Sequence, residues 1–341
     1  MKFFYIMRMS FYSVFVVLCV VLIGLHLFQN YMFSYEESFV KDRLSSDPRD
    51  PVKDRLSSDP LDFQQIESTN DMNTTVWIVW FQGWDNAPWL QKQVANSWKV
   101  NNPTWNIQLL DMNRLKELIP EETVLFDETN DVTMAAKSDI VRLALLNKFG
   151  GVWADSTLLC MQPLDSWVTR ALAPCGFWMY HGLGSNMDKS QGPASWFIVS
   201  KKGSYIISKW KEKCDEYWKN RKSTDNYFWM DSLFKQLYES DAEFSKKWDS
   251  VPYLYCNDDG SSHTFEKYDP VNNTSHIQEL FNNKPPFALK LWNKFSDGLE
   301  NCKRTNKPEN CEKSNGYQAI QFAQRGNVAF DHFSGVASVS A

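Results

Sequence analysis

The chain has 341 residues and a formal net charge of -5; a single core stops growing at roughly 250–300 residues, so there is room for one large folded domain and two shorter segments. The charge leaves no extended basic surface, which excludes the electrostatic footprint of a nucleic-acid binder. Aromatics make up 15%, with 15 Trp; such rings suit the apolar faces of sugars, but filling a core accounts for most of them.

Phe11 to Phe28 is apolar apart from Ser13, Gly24 and His26. At a rise of about 1.5 Å per residue, about 18 residues nearly span a hydrocarbon core of about 30 Å. Lys2 and Arg8 precede the run and Glu36, Glu37 and Asp42 follow it, so the positive-inside rule puts the N-terminus in the cytosol. A cleaved leader is the alternative, but Gln29-Asn30-Tyr31-Met32 offers no small-x-small site. The expectation is a tail and signal-anchor over residues 1–33, with type II topology in a Golgi or ER membrane and the remaining chain in the lumen.

Val40 to Pro48 returns unchanged at Val52 to Pro60. This duplicated stretch is polar and Pro-punctuated, too poor in apolar area to offset its ordering entropy, so residues 34–72 read as a flexible stem. The folded lumenal domain then covers residues 73–341. Asn73-Thr74-Thr75, Asn272-Asn273-Thr274 and Asn273-Thr274-Ser275 are glycan acceptor triplets. Cys160, Cys175, Cys214, Cys256, Cys302 and Cys311 follow the anchor; an oxidising lumen permits up to three disulfides, and free buried thiols are the alternative.

Val76 to Phe81 is a continuous apolar, β-prone run closed by Gln82-Gly83, as a buried parallel strand would be. Trp89 to Val100 reads as a helix and Trp105 to Asp111 as a second strand, together a βαβ unit. From Ala135 to Phe149, Ile140, Leu143, Ala144 and Leu146 fall at helical spacing, and Gly150-Gly151 stops the helix. Val152-Trp153-Ala154 is then a short strand, so Asp155 stands at a strand's carboxyl end, where open α/β sheets bind ligands.

Asp155 and Thr157 share a side if the extended conformation continues through Ser156. A carboxylate and a hydroxyl so placed suit Mg²⁺ or Mn²⁺ with substrate phosphates completing the coordination; the alternative is an Asp that caps a turn. Asp139 and Arg142, three apart, share a helix face. They suit a ribose and a phosphate, or form a plain surface ion pair.

Ser138-Asp139-Ile140-Val141-Arg142, Leu145-Leu146-Asn147-Lys148-Phe149-Gly150-Gly151-Val152-Trp153 and Ala154-Asp155-Ser156-Thr157 make one nearly continuous block. The block resembles the capsular polysaccharide synthesis protein family, related to mannosyltransferase-like sugar transferases with a DXD region. Trp77-Ile78-Val79-Trp80-Phe81-Gln82-Gly83 is similar to that family's opening strand. Ser195-Trp196-Phe197-Ile198 and Asn226-Tyr227-Phe228-Trp229 are similar to its later segments.

The resemblance implies an α/β, GT-A-like nucleotide-sugar-binding sheet of Rossmann type with flanking helices. It implies a retaining glycosyltransferase that uses a divalent cation, takes a UDP- or GDP-sugar and serves a glycan or glycoconjugate acceptor. By motif, Trp80, Asp139, Arg142 and Gly151 hold the nucleotide sugar, Asp155 and Thr157 hold the metal, and Asp155 and Arg142 are catalytic. Asp225 and Asp231 are candidates facing the acceptor, and Asp331-His332 a late metal ligand. Thr157 stands where the wider DXD group has a second Asp, which leaves room for a catalytically silent sugar-binding protein of the same fold.

Overall fold

The computed structural model describes residues 73–182, 194–256, 281–291, 315–326 and 329–333, all within one unit, Leu56–Ala341. The expected anchor, the stem, the triplets at Asn272 and Asn273, Cys302 and Cys311 lie outside the described residues. Among the described residues no helix is long and apolar enough to cross a membrane.

Strand β1 (Thr75–Val79) is buried throughout, which its run of Val, Trp and Ile requires. It pairs in parallel with β2 (Asn106–Leu110) on one side and β3 (Gly151–Ala154) on the other. Its ladder extends one bond further, Trp80 N–H donating to Leu110 O at 2.9 Å, before Gly83 N–H turns back to Trp80 O at 3.0 Å. Gly83 takes φ 87°, so the strand stops two residues before the apolar run does.

The parallel strands are joined by α1 (Trp89–Asn101), α2 (Met112–Leu118), α3 (Thr123–Phe126) and α4 (Met134–Phe149). Thr133 caps α4 by accepting the Ala136 N–H at 3.2 Å, and Gly150 ends it at φ 73°. Next come β4 (Leu158–Cys160), α5 (Val168–Leu172), β5 (Phe177–Met179) and β6 (Phe197–Ser200). Beyond them lie α6 (Tyr205–Trp218), α7 (Trp229–Ser240), α8 (Ala242–Ser250), β7 (Ala288–Lys290) and α9 (Asn315–Arg325). The main sheet has the order β2-β1-β3-β6-β5. β6 runs antiparallel to β3 and β5 antiparallel to β6, so the Rossmann-like half carries an antiparallel extension.

Trp77, Trp98, Trp153, Trp178, Trp210, Trp229 and Trp248 are fully buried. Filling the core therefore accounts for much of the Trp content, and the large exposed aromatics among the described residues are Tyr227 and Phe228. Cys160, Cys175 and Cys214 carry free thiols, and burial pushes Cys160 up to about 12. No disulfide forms through these three. In the Asn73 triplet, the half-buried Asn73 amide donates to Phe149 O at 3.1 Å, its side-chain oxygen accepts from Thr75 Oγ1 at 2.7 Å, and Thr75 is buried in β1.

Candidate functional site

β1 and β3 lie in parallel with Val76 beside Val152 and Trp77 beside Trp153. β1 ends at Val79 with Trp80 next in the chain, and β3 ends at Ala154 with Asp155 next. From β1 the chain passes to β2 on one flank and then to β3 on the other, so the carboxyl ends of β1 and β3 frame a switch point, the usual ligand crevice of such sheets. Trp80, half-buried, stands at that end.

Asp155 leaves β3 with its N–H donating to Trp196 O at 3.0 Å, and its own carbonyl accepts Leu158 N–H at 2.9 Å. That is a turn, so the extended run through Ser156 does not form. Asp155 and Thr157 meet all the same, through a third residue. Lys290 Nζ donates to Asp155 Oδ2 at 2.6 Å and to Thr157 Oγ1 at 2.7 Å. Lys290 is delivered by the antiparallel pairing of β7 with β4, Leu158 beside Lys290, and Leu291 N–H holds the register on Thr157 O at 2.8 Å.

On the other side of Asp155, Oδ1 accepts from Arg142 Nη2 at 3.1 Å and from Trp153 Nε1 at 2.9 Å. Arg142 projects from α4 and is only 5% exposed. Its Nη1 pairs with Asp139 and donates to Ser195 Oγ at 3.0 Å, while Nη2 also reaches Ser138 Oγ at 3.4 Å. The guanidinium carbon lies 5.3 Å from the centre of the Trp153 ring, within cation–π range. Its Nε is buried and has no hydrogen-bond acceptor among the described residues. The surface-pair alternative for Asp139 and Arg142 is therefore excluded by burial.

Charge is unevenly distributed over these carboxylates. Burial pushes Asp155 up, but Lys290 and Arg142 outweigh it and hold its carboxyl below the ordinary value. Asp139 is pushed up to about 7 by burial, with Asp231 and Asp155 adding to the effect and Arg142 opposing it. Asp231, in the first turn of α7, is raised to about 6, again mainly by burial. Asp231 thus belongs to the cluster, whereas Asp225 pairs with Arg221 at 2.5 Å on the exposed surface.

Three expectations are revised. Gly151 stands at the far end of β3 from Asp155, at φ 99°, where a Cβ would come within 2.5 Å of Thr75 O; it lets β1 and β3 approach and does not reach the site. Asp331 pairs with Arg170 and buried His332 donates Nε2–H to Pro285 O at 2.7 Å, so neither is presented as a metal ligand. Among the described residues, no three of His, Cys, Asp and Glu are grouped to hold a metal. A divalent cation between Asp155 and Thr157 would need oxygens at about 2.0–2.6 Å, and the Lys290 ammonium occupies that position. The donor set around Asp155 does not fit the expected cation.

Lys290, Ser195 and Ser138 were not singled out by the sequence pattern as functional. Ser195 lies within the Ser195-Trp196-Phe197-Ile198 segment and Ser138 one residue before Asp139, so both carried a signal by position. Lys290 carried none.

The profile of a family described as capsular polysaccharide synthesis protein matches residues 29–311. Among curated proteins, the chain is similar to the glycosyltransferase afumC of Aspergillus fumigatus, 30% identical over 175 residues, which are 46% of this chain and 44% of that protein. It is also similar to the O-glycosyltransferase braB of Annulohypoxylon truncatum, 26% identical over 44% of this chain and 38% of that protein. The chain thus spans less than half the length of these relatives. A solved structure titled PaToxG Glycosyltransferase aligns over 75% of this chain and 88% of that chain, at 14% identity and a TM-score of 0.36.

Proposed function

This chain belongs to the capsular polysaccharide synthesis protein family, and from that premise we propose that it is a glycosyltransferase. It takes a sugar from a nucleoside diphosphate of the UDP or GDP series and passes it to a glycan or glycoconjugate. Relatives named as O-glycosyltransferases support a hydroxyl oxygen as the accepting atom. The observation that carries this reading is the meeting of the Arg142 guanidinium and the Lys290 ammonium on Asp155, just past the carboxyl end of β3.

Bond breaking at the donor leaves negative charge on the diphosphate, and fixed cations accelerate the step to the extent that their contact strengthens as that charge grows. Arg142 is preorganised for this, because Asp139, Ser195 and Asp155 fix its fork before any ligand arrives. Trp80 supplies a ring for the base, and Asp139 accepts from ribose hydroxyls. Asp231, beside Asp139, faces the acceptor, and the anomeric configuration is retained. The protein is held by its N-terminal signal-anchor in a Golgi or ER membrane, with the folded domain in the lumen.

The test uses the full-length chain in detergent with a panel of UDP- and GDP-sugars and reads release of the nucleoside diphosphate. Turnover of at least one donor is expected. If none binds or turns over, the chain is a silent member of the fold. Pelleting after an alkaline carbonate wash checks the anchor, which predicts retention in the membrane fraction.

A further inference from the structure

We infer that Lys290 takes the place of a divalent cation at this site, so that the diphosphate is held by protein cations alone; the inference rests on the glycosyltransferase reading and specifies its chemistry. Lys290 Nζ sits between Asp155 Oδ2 at 2.6 Å and Thr157 Oγ1 at 2.7 Å, the two oxygens that would otherwise bind a metal. With a hydroxyl at position 157, one carboxylate faces this position, and affinity for hard cations rises with the number of ligand charges. A lysine ammonium satisfies a single carboxylate and a hydroxyl, and its third N–H remains available to a ligand.

The ammonium is also well placed. Its backbone is pinned by the β4–β7 register and by Leu291 N–H on Thr157 O, and its side chain is 17% exposed, so it is partly desolvated yet still reachable from the crevice. Arg142 approaches the other oxygen of the same carboxylate. Two cations thus converge on one carboxylate, each from a different side. In the reaction, the bond between the sugar C1 and the β-phosphate oxygen breaks, its electron pair staying on that oxygen. The acceptor hydroxyl oxygen bonds C1, and its proton passes to the departing diphosphate. Lys290 and Arg142 stabilise the charge on the phosphate oxygens.

The probes are UDP, GDP and the corresponding nucleosides, titrated calorimetrically into the full-length chain in detergent, in EDTA and then with Mn²⁺. The better-bound diphosphate is expected to bind within twofold of equally in both conditions. Lys290→Ala should weaken it at least tenfold while changing nucleoside binding less than twofold, and Lys290→Arg should recover most of the loss. Diphosphate binding that falls tenfold in EDTA and returns with Mn²⁺ overturns the inference while leaving the transferase reading standing. That wild-type comparison decides the matter even if Lys290→Ala fails to fold. If neither diphosphate binds in either condition, both readings fall together.

Discussion

Lys290 and Thr157, 133 positions apart in the sequence, meet with Nζ 2.7 Å from Oγ1. The contact depends on a two-stranded pairing outside the main sheet, which places a β7 lysine beside the turn that follows β3. Thr157 is only 6% exposed, so its hydroxyl needs a partner, and Lys290 provides it. Thr157→Val keeps the shape and removes the acceptor. A hydrogen bond to a charged group is worth about 1.5–3 kcal/mol, and Lys290 keeps its stronger bond to Asp155. Diphosphate binding is therefore expected to weaken about tenfold or more, and part of the same loss should appear as a lower melting temperature. Unchanged affinity would show that Thr157 does not position the ammonium.

Asp155→Asn strikes the centre of the cluster. The carboxylate accepts from Arg142, Trp153 and Lys290 together, and an amide would turn N–H donors toward one of the two cations. Breaking a buried pair costs about 3–5 kcal/mol, and the side chain is 21% exposed, so a loss nearer about 1–3 kcal/mol is expected on thermal or urea unfolding. Turnover should fall at least a hundredfold, because both cations lose the group that orients them. A well-folded variant with wild-type turnover would remove Asp155 from the mechanism.

The parallel half of the sheet was legible because its signals are local. Val76 to Val79 and Val152 to Ala154 are buried strands whose apolar runs show without partners, and Gly150 ends α4 where the helical period stops. Asp139 and Arg142 were legible as an i, i+3 pair, and Asp155 as a residue at a strand end. β4 and β7 have three residues each, too few for a period of two to declare itself, and their pairing joins distant parts of the chain. Lys290 therefore could not be assigned from spacing. The expectation of a metal drew on Asp155 and Thr157 as an oxygen pair and on the family resemblance, and neither points to Lys290, which meets both oxygens.

Gly151→Ala tests the packing role of a glycine that motif reading assigned to the ligand. At φ 99° an L side chain is strained, and the added Cβ would lie 2.5 Å from Thr75 O, a backbone atom that cannot rotate away. Overpacking costs about 1–3 kcal/mol, and a strained φ about 1–3 kcal/mol more. The variant should express poorly or melt at markedly lower temperature. The fraction that folds should keep a near-native KM for the donor; a selective rise in KM with unchanged melting would return Gly151 to the site.

Asp231 supplies a pH-dependent prediction whose sign follows from its raised value. Its carboxyl titrates near 3.8 ordinarily and at about 6 in the fold. The native state therefore holds a proton that the unfolded chain has released between these values. The stability contributed by that protonated group is full below about pH 4 and is lost as pH rises through about 6. Asp231→Asn cannot ionise, so it should match the wild type at pH 4 and exceed it at pH 7.5. At about 1.4 kcal/mol for each unit, the gain has an upper bound of about 3 kcal/mol. The same substitution removes a like charge that raises Asp139, so the acid limb of donor binding, if set by Asp139 ionisation, should move to lower pH. Unfolding curves for both proteins from pH 4 to 8 check the first expectation, and nucleotide titrations over the same range check the second. A stability difference that stays constant across the range would mean that Asp231 is not held in a charge-averse site.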